Sequence, residues 1–446
     1  MKLWKRLIGL FFLLLIFDGA LRKWVAPGFS RVLFVMKDAV LWGSLIAYAT
    51  AHPVKLPRPL RRTALPTLIG AYAFVVLLQA FNLRLPSLLV GAVGIKAHLA
   101  YLPLLVLIPA LLVETSKQQV KRLLWGYALL VYLPIAVLGV YQFFMPTTHW
   151  VNQYVREMGS IATASGHVRI TGTFSYIGSF DVFLIFNAFL SGGMLLAGLY
   201  ARDQTFRRIG LLLFGVTAVI MPMTGSRSSV LISAGGLTLL VLVVASRRGH
   251  LLRMALGGLL VVGGVILVAN VTELGKGWAT LVERAEEAGE ANQSRIVNAI
   301  TGPVRGLDRV GIVGFGSGST HQAAPRFVAG RTSHTWLPGG FIESGKARVV
   351  IELGIIGYLI LLVTKGALLY TAYGALRRSA TPVELLISAT AFCMLLAHFI
   401  QSIVFNAVTS AFYWSAAGAM IGVWSLQQVR RDARQAMRPQ VTVGGT

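Results

Sequence analysis

Apolar stretches of about 20 residues, the length a helix needs to cross ~30 Å of hydrocarbon, recur along this chain from Leu7 to Trp424. A soluble core cannot absorb so many of them. Of the 446 residues, 55% are hydrophobic and only 13% are charged, roughly half the charged fraction of an ordinary soluble domain. The chain reads as an all-α polytopic membrane protein, because a helix closes its own backbone hydrogen bonds in lipid.

The apolar runs predict twelve spans, near 7–17, 32–51, 63–80, 85–112, 123–144, 180–200, 209–223, 230–245, 254–271, 349–369, 385–405 and 411–426. Lys2, Lys5 and Arg6 precede the first, as in a signal peptide, but no small-residue cleavage site follows, so an uncleaved span is expected. Nine spans then fill residues 1–271 and three fill 349–428, with a basic tail over 429–446. A long loop, 272–348, separates the two groups.

The net charge of +25, from 41 Lys and Arg against 16 Asp and Glu, would suggest nucleic acid in a soluble protein. Here no RNA-binding motif accompanies it. With a cytoplasmic N-terminus, 23 of the 41 basic residues fall in the N-terminal segment, the alternate connectors and the tail, with Lys365 counted at the inner end of its span. That distribution predicts cytoplasmic termini through the positive-inside rule. The single cysteine, Cys393, lies within an apolar run, which excludes intrachain disulfides.

The same parity leaves 145–179 and 272–346 outside. The longer segment has Trp278, Leu281, Val282, Ala285 and Ala288 at helical spacing, then the piece Gly314-Phe315-Gly316-Ser317-Gly318. That piece lacks the Gly-Lys-Ser/Thr ending of a phosphate-binding loop and reads as a flexible turn region.

Arginines on the outer side run against the topology rule and ask for a reason. Among them are Arg169, Arg227 in Thr224-Gly-Ser-Arg-Ser-Ser229, Arg295, Arg305, Arg326, Arg331 and Arg348. Arg227 stands at a hinge with almost no loop, at or below the membrane surface, where an unpaired charge costs about 2.5–3.5 kcal/mol at full depth. Either it snorkels to lipid phosphates or it holds an anionic substrate. Several arginines at one boundary suit a diphosphate, since the planar guanidinium makes bidentate, always-charged contacts. No Asp-x-Asp and no cluster of outward His is present to hold a metal, so stabilisation by arginine alone is expected. At the re-entry, Glu343 lies outside near the interface, whereas Glu352 begins the buried helix with Arg348 one turn earlier as its expected partner.

These features together resemble the O-antigen ligase and polymerase superfamily of integral-membrane glycosyltransferases. The resemblance rests on about twelve spans, the Thr-Gly-Ser-Arg turn, the late large loop, and Glu352-Leu-Gly-Ile-Ile-Gly357 at the re-entry. Asp18-Gly-Ala-Leu-Arg-Lys-Trp24 also looks like the start of a branch found in exopolysaccharide clusters. The resemblance implies a fold of the GT-C-like kind and metal-free, cofactor-free transfer of a glycan from undecaprenyl diphosphate on the periplasmic face of the inner membrane. The family's turn arginine maps onto Arg227 and its loop arginine onto Arg295. Family ligases carry a His about nine residues before the re-entry Glu; Glu343 stands there instead, which favours a polymerase of O-antigen or exopolysaccharide over a lipid A ligase.

On this reading Arg227, Arg295, Arg169 and Arg348 bind the diphosphate, Glu343 accepts the proton of the attacking hydroxyl, and Glu352, His334 and His321 have structural or secondary roles. The implied partners are the lipid-linked donor, a glycan or lipid acceptor, membrane lipids and, in a polymerising system, a chain-length regulator; nucleic acid is not among them. A transporter or flippase is the rival from another class, but such folds show matching halves, and none is visible here.

Overall fold

In hydrocarbon no water competes for backbone groups, so each apolar run closes its own ladder as a helix. The computed structural model describes residues 2–53, 58–61, 63–155, 161–164, 166–245, 275–286, 301–328, 333–340 and 342–436. The expected span at 254–271 lies outside the described residues, as do Arg295 and Arg331. In chain order the helices are α1 (Leu3–Ala20), α2 (Ser30–Ala51), α3 (Arg58–Arg61), α4 (Leu65–Ala80), α5 (Leu88–Leu99), α6 (Leu104–Val113), α7 (Lys117–Tyr127) and α8 (Leu133–Phe144). There follow α9 (Ile177–Tyr200), α10 (Gln204–Met223), α11 (Arg227–Ala245), α12 (Lys276–Glu286), α13 (301–310), α14 (Gly345–Arg377), α15 (Pro382–Ala397) and α16 (Ala407–Ala436). Among the described residues, strand is confined to the two-residue antiparallel pair Thr163–Ala164 and His167–Val168.

Among the described residues, seven stretches are long and apolar enough to cross a membrane: Pro27–Ala51, Leu88–Val113, Lys117–Phe144, Ile177–Tyr200, Gln204–Met223, Arg227–Val244 and Gly345–Arg377. Leu65–Ala80 and Pro382–Ala397 are apolar but shorter. The chain is a helical membrane protein. At its centre is α9, which packs on α10, α11, α15 and α16 and buries Phe180, Phe183, Leu184, Phe189 and Met194 completely. A helix apolar on every side is stable only when other helices or lipid surround it.

Five ion pairs gather at one end of the bundle. Glu114 accepts Lys2 at 3.2 Å and Lys5 at 2.7 Å; Asp203 accepts Lys117 at 3.4 Å and Lys121 at 2.7 Å; Glu384 pairs with Arg430. These pairs join the connectors that the charge pattern assigns to one side. Partly exposed pairs contribute only about 0–1 kcal/mol each, so they mark position more than stability. Lys365 does not join them. Its Nζ donates to the Gln401 carbonyl at 2.7 Å, in the turn at the far end of α15 from Glu384, so it belongs mid-helix and not at the inner end of its span.

Helix α14 is broken. Gly354 takes φ 72° and ψ 176° in the middle of an otherwise helical run, a conformation that a side chain would strain. Backbone freed by a break inside an apolar helix must find partners in the protein. The loop ahead of α14 supplies them. Ile355 N donates to Ile312 O at 3.2 Å, Phe315 N to Ile351 O at 2.6 Å and Gly316 N to Glu352 O at 3.2 Å. The Gly-rich piece is therefore not a flexible turn region: it wedges between α4, α5 and the break, with Ser317 N donating to Gln79 O at 3.0 Å. Gly318, at φ 84°, lies so close to the Val90 carbonyl and the Gly94 backbone that a Cβ would collide with both. The described part of the amphipathic stretch, through Glu286, forms α12, which packs on α10 with Gly277 against Met223; Ala288 lies outside the described residues.

Candidate active site

At the end of the bundle opposite those five ion pairs, Arg169, Arg227 and Arg348 lie near helix termini. Arg169 leaves the small hairpin and donates through Nε to the Thr224 carbonyl at 2.7 Å. It thereby docks on the turn that carries Arg227. That turn is tight because Gly225 adopts φ 63°, and Thr224, Ser226 and Ser229 are buried beneath it. Arg227 opens α11 and is partly exposed. The Asp181 carboxylate on α9 lies beside the hydroxyls of Thr224, Ser226 and Ser229 and feels the Arg169 charge.

The second arginine centre is built around Glu352, which has no solvent exposure. One carboxylate oxygen accepts from Gly318 N at 2.9 Å and faces His98 Nε2 at 2.8 Å; the other accepts from Thr320 N at 3.1 Å and from the Thr320 hydroxyl at 2.5 Å. His98 Nδ1 lies 2.7 Å from the Tyr72 hydroxyl, so the tautomer with hydrogen on Nε2 satisfies both partners at once. Arg348 was expected to pair with Glu352 across one helical turn. Thr320 bridges them instead: the guanidinium donates to the Thr320 carbonyl at 2.8 Å and to its hydroxyl at 3.3 Å, and lies 3.6 Å above the Phe405 ring. A carboxylate ringed by four donors anchors the loop, and a threonine whose hydroxyl serves both charges keeps neither stranded.

A chain of contacts links the two centres. Phe405, beneath Arg348, precedes Asn406, whose Oδ1 accepts from Ser179 on α9 at 3.4 Å, two residues before Asp181. The Arg348 ring contact and the Arg169–Thr224 turn thus both connect to the first turns of α9. The loop residues lie at the rim. Glu343 is exposed just ahead of α14. His334 Nε2 donates to the His321 carbonyl at 2.9 Å and its ring packs near Trp336. Burial holds the His321 imidazole down to about 4 and also lowers His334, so both are neutral at pH 7. Arg305 and Arg326 are exposed.

Sequence reasoning missed Tyr72, His98 and Thr320. The only signal was that Lys96 and His98 interrupt an apolar run, and a polar residue inside a span is a functional or structural marker by default. Among the described residues no three His, Cys, Asp or Glu side chains come together as a metal ion would require. The chain matches no family model, no curated protein and no solved structure.

Proposed function

We propose that the chain is a glycosyltransferase of the bacterial inner membrane, with twelve spans, cytoplasmic termini and 272–348 as a periplasmic loop. It polymerises undecaprenyl-diphosphate-linked repeat units into O-antigen or exopolysaccharide. The observation that supports the reading is that Arg169, docked on the Arg227 turn, and the buried Arg348 are both connected to the first turns of α9. Arginines fixed at a membrane boundary are suited to neutralising a diphosphate as it leaves, because a preorganised charge needs no rearrangement when negative charge develops.

Arg227 and Arg169 bind the diphosphate from one side and Arg348 from the other, with Arg295 as the loop's own contribution. Glu343 takes the proton from the attacking sugar hydroxyl; its exposure leaves it free to meet an acceptor. A charge-paired diphosphate is already a good leaving group, so the reaction draws mainly on positioning and electrostatics. A ligase passing finished glycan to lipid A core or another acceptor would use the same arginines. The test is the glycan profile of cells with and without the gene. Loss of polymer marks a polymerase, retained but unattached polymer marks a ligase, and an unchanged profile overturns both.

A further inference from the structure

The break at Gly354 also repositions two lysines that the transfer site does not use. Along an unbroken helix Lys346 and Lys365 would stand about 28 Å apart. In the structure both line one cavity beside α14, together with Tyr358, Ile400 and Ser402. The start of α14 is pressed so closely onto the turn after α15 that a Cβ on Gly345 would lie 2.7 Å from that of Ser402.

Lys365 is buried, its Nζ donating to the neutral Gln401 carbonyl at 2.7 Å and standing 5.9 Å over the Tyr413 ring. Among the described residues neither it nor the partly buried Lys346 has a carboxylate partner. Two ammonium groups brought to one cavity repel, and an anion placed between them turns that repulsion into attraction. Ser402 Oγ accepts from Val404 N at 3.4 Å, which leaves its own hydrogen to offer. Next to Lys365, the buried His398 Nε2 and Tyr413 hydroxyl have no hydrogen-bond partner among the described residues, although buried polar atoms normally do. The cavity measures about 20 Å³, room for one water-sized group, so an occupant reaches Lys365 with a single oxygen and keeps its other atoms at the mouth. Apolar surface flanks that mouth: Ile400 is 64% exposed, and Ile356, Leu359 and Val363 form an exposed stripe on the same stretch of α14.

We propose that this cavity binds the phosphate group of a membrane lipid, with one phosphate oxygen entering to Lys365 Nζ, the others held at the mouth by Lys346 and Ser402, and the acyl chains along the Ile356–Val363 stripe. A phosphate suits the shape because it offers one oxygen inward and further oxygens to the rim. The proposal stands apart from glycosyl transfer, since its readout is binding and not turnover.

The full-length protein in detergent is titrated with dioleoyl phosphatidic acid and followed by native mass spectrometry. Dioleoyl phosphatidylcholine serves as the zwitterionic control and sodium phosphate as the lipid-free competitor. Phosphatidic acid should bind saturably and phosphatidylcholine should not. Lys346→Ala should weaken phosphatidic acid by about tenfold, the loss of one charge-assisted hydrogen bond. Arg208→Ala, which removes an exposed charge on α10, should leave the affinity unchanged. Lys365→Met should weaken binding too, but it also gives up the Gln401 bond, so Lys346→Ala is the deciding variant. Displacement by an equal concentration of phosphate overturns the lipid assignment in favour of the free ion. Equal binding of the two lipids, full affinity in Lys346→Ala, or an equal loss in Arg208→Ala overturns the site itself.

Discussion

Arg169 Nε donates to the carbonyl of Thr224 across 55 residues of sequence, fastening the small hairpin onto the turn that opens α11. The position of Arg227 is thus set by a contact that Arg227 does not itself make. Arg227→Lys keeps the charge and loses the planar fork, so glycan transfer should fall by about tenfold or more while thermal stability is unchanged. Arg169→Ala should lower turnover through the turn as well. Near-normal polymer from Arg227→Lys would return that residue to a lipid-phosphate contact.

The two carboxylates near the re-entry should respond differently. Glu343→Gln should cut turnover by ~10²–10⁴-fold, the usual contribution of a general base, with donor binding retained. Glu352→Gln places an amide NH₂ among the donors Gly318 N, Thr320 N and His98, and each unsatisfied donor costs about 1–3 kcal/mol. It should reduce yield and melting temperature, measured by fluorescence-detected size exclusion. A folded but inactive Glu352→Gln beside an active Glu343→Gln would reverse the two roles.

Thr320→Val keeps the shape of the side chain and deletes the hydroxyl that serves Glu352 and Arg348 together. A loss of about 1–3 kcal/mol is expected in detergent unfolding, since both buried charges lose a partner at once. Thr320→Ser should restore most of it. Equal stability of wild type and Thr320→Val would remove the bridge from the account.

His321 ties stability to acid. Its folded-state value of about 4 lies below the usual 6.5, so the unfolded chain takes up the proton first as the pH drops. The stability it contributes is complete above pH 6.5 and is lost as pH falls through about 4. Unfolding midpoints taken between these limits should decline more steeply for wild type than for His321→Asn. Parallel declines would show that other groups carry the acid response.

The helices were legible because a span advertises itself locally: about 20 apolar residues bounded by charge leave little choice of structure. The connectors of one end were legible too, from their basic residues, and Lys2, Lys117 and Arg430 all take acidic partners there. Lys365 was misplaced because a lysine in a span reads as a flank, whereas its partner is a carbonyl in a turn 36 residues later. The Glu352 site was half legible. A carboxylate at a helix start demands partners, but His98 lies 254 residues away and Thr320 sits in a stretch whose glycines read locally as flexibility. Positive φ at Gly314, Gly316 and Gly318 follows from what the loop must fit between, which no local pattern contains.

The break at Gly354 makes one helix depend on a distant part of the chain. The strip at 312–316 that completes the interrupted helix is synthesised before the helix itself, and after α4 and α5, whose Val90 and Gly94 backbone receives Gly318. The strip can therefore dock on the earlier pair as soon as it is made, leaving the later helix to close over it like a keystone. Without that strip the amide of Ile355 would face hydrocarbon, so α14 is complete as a span only in the company of a segment that is not part of it.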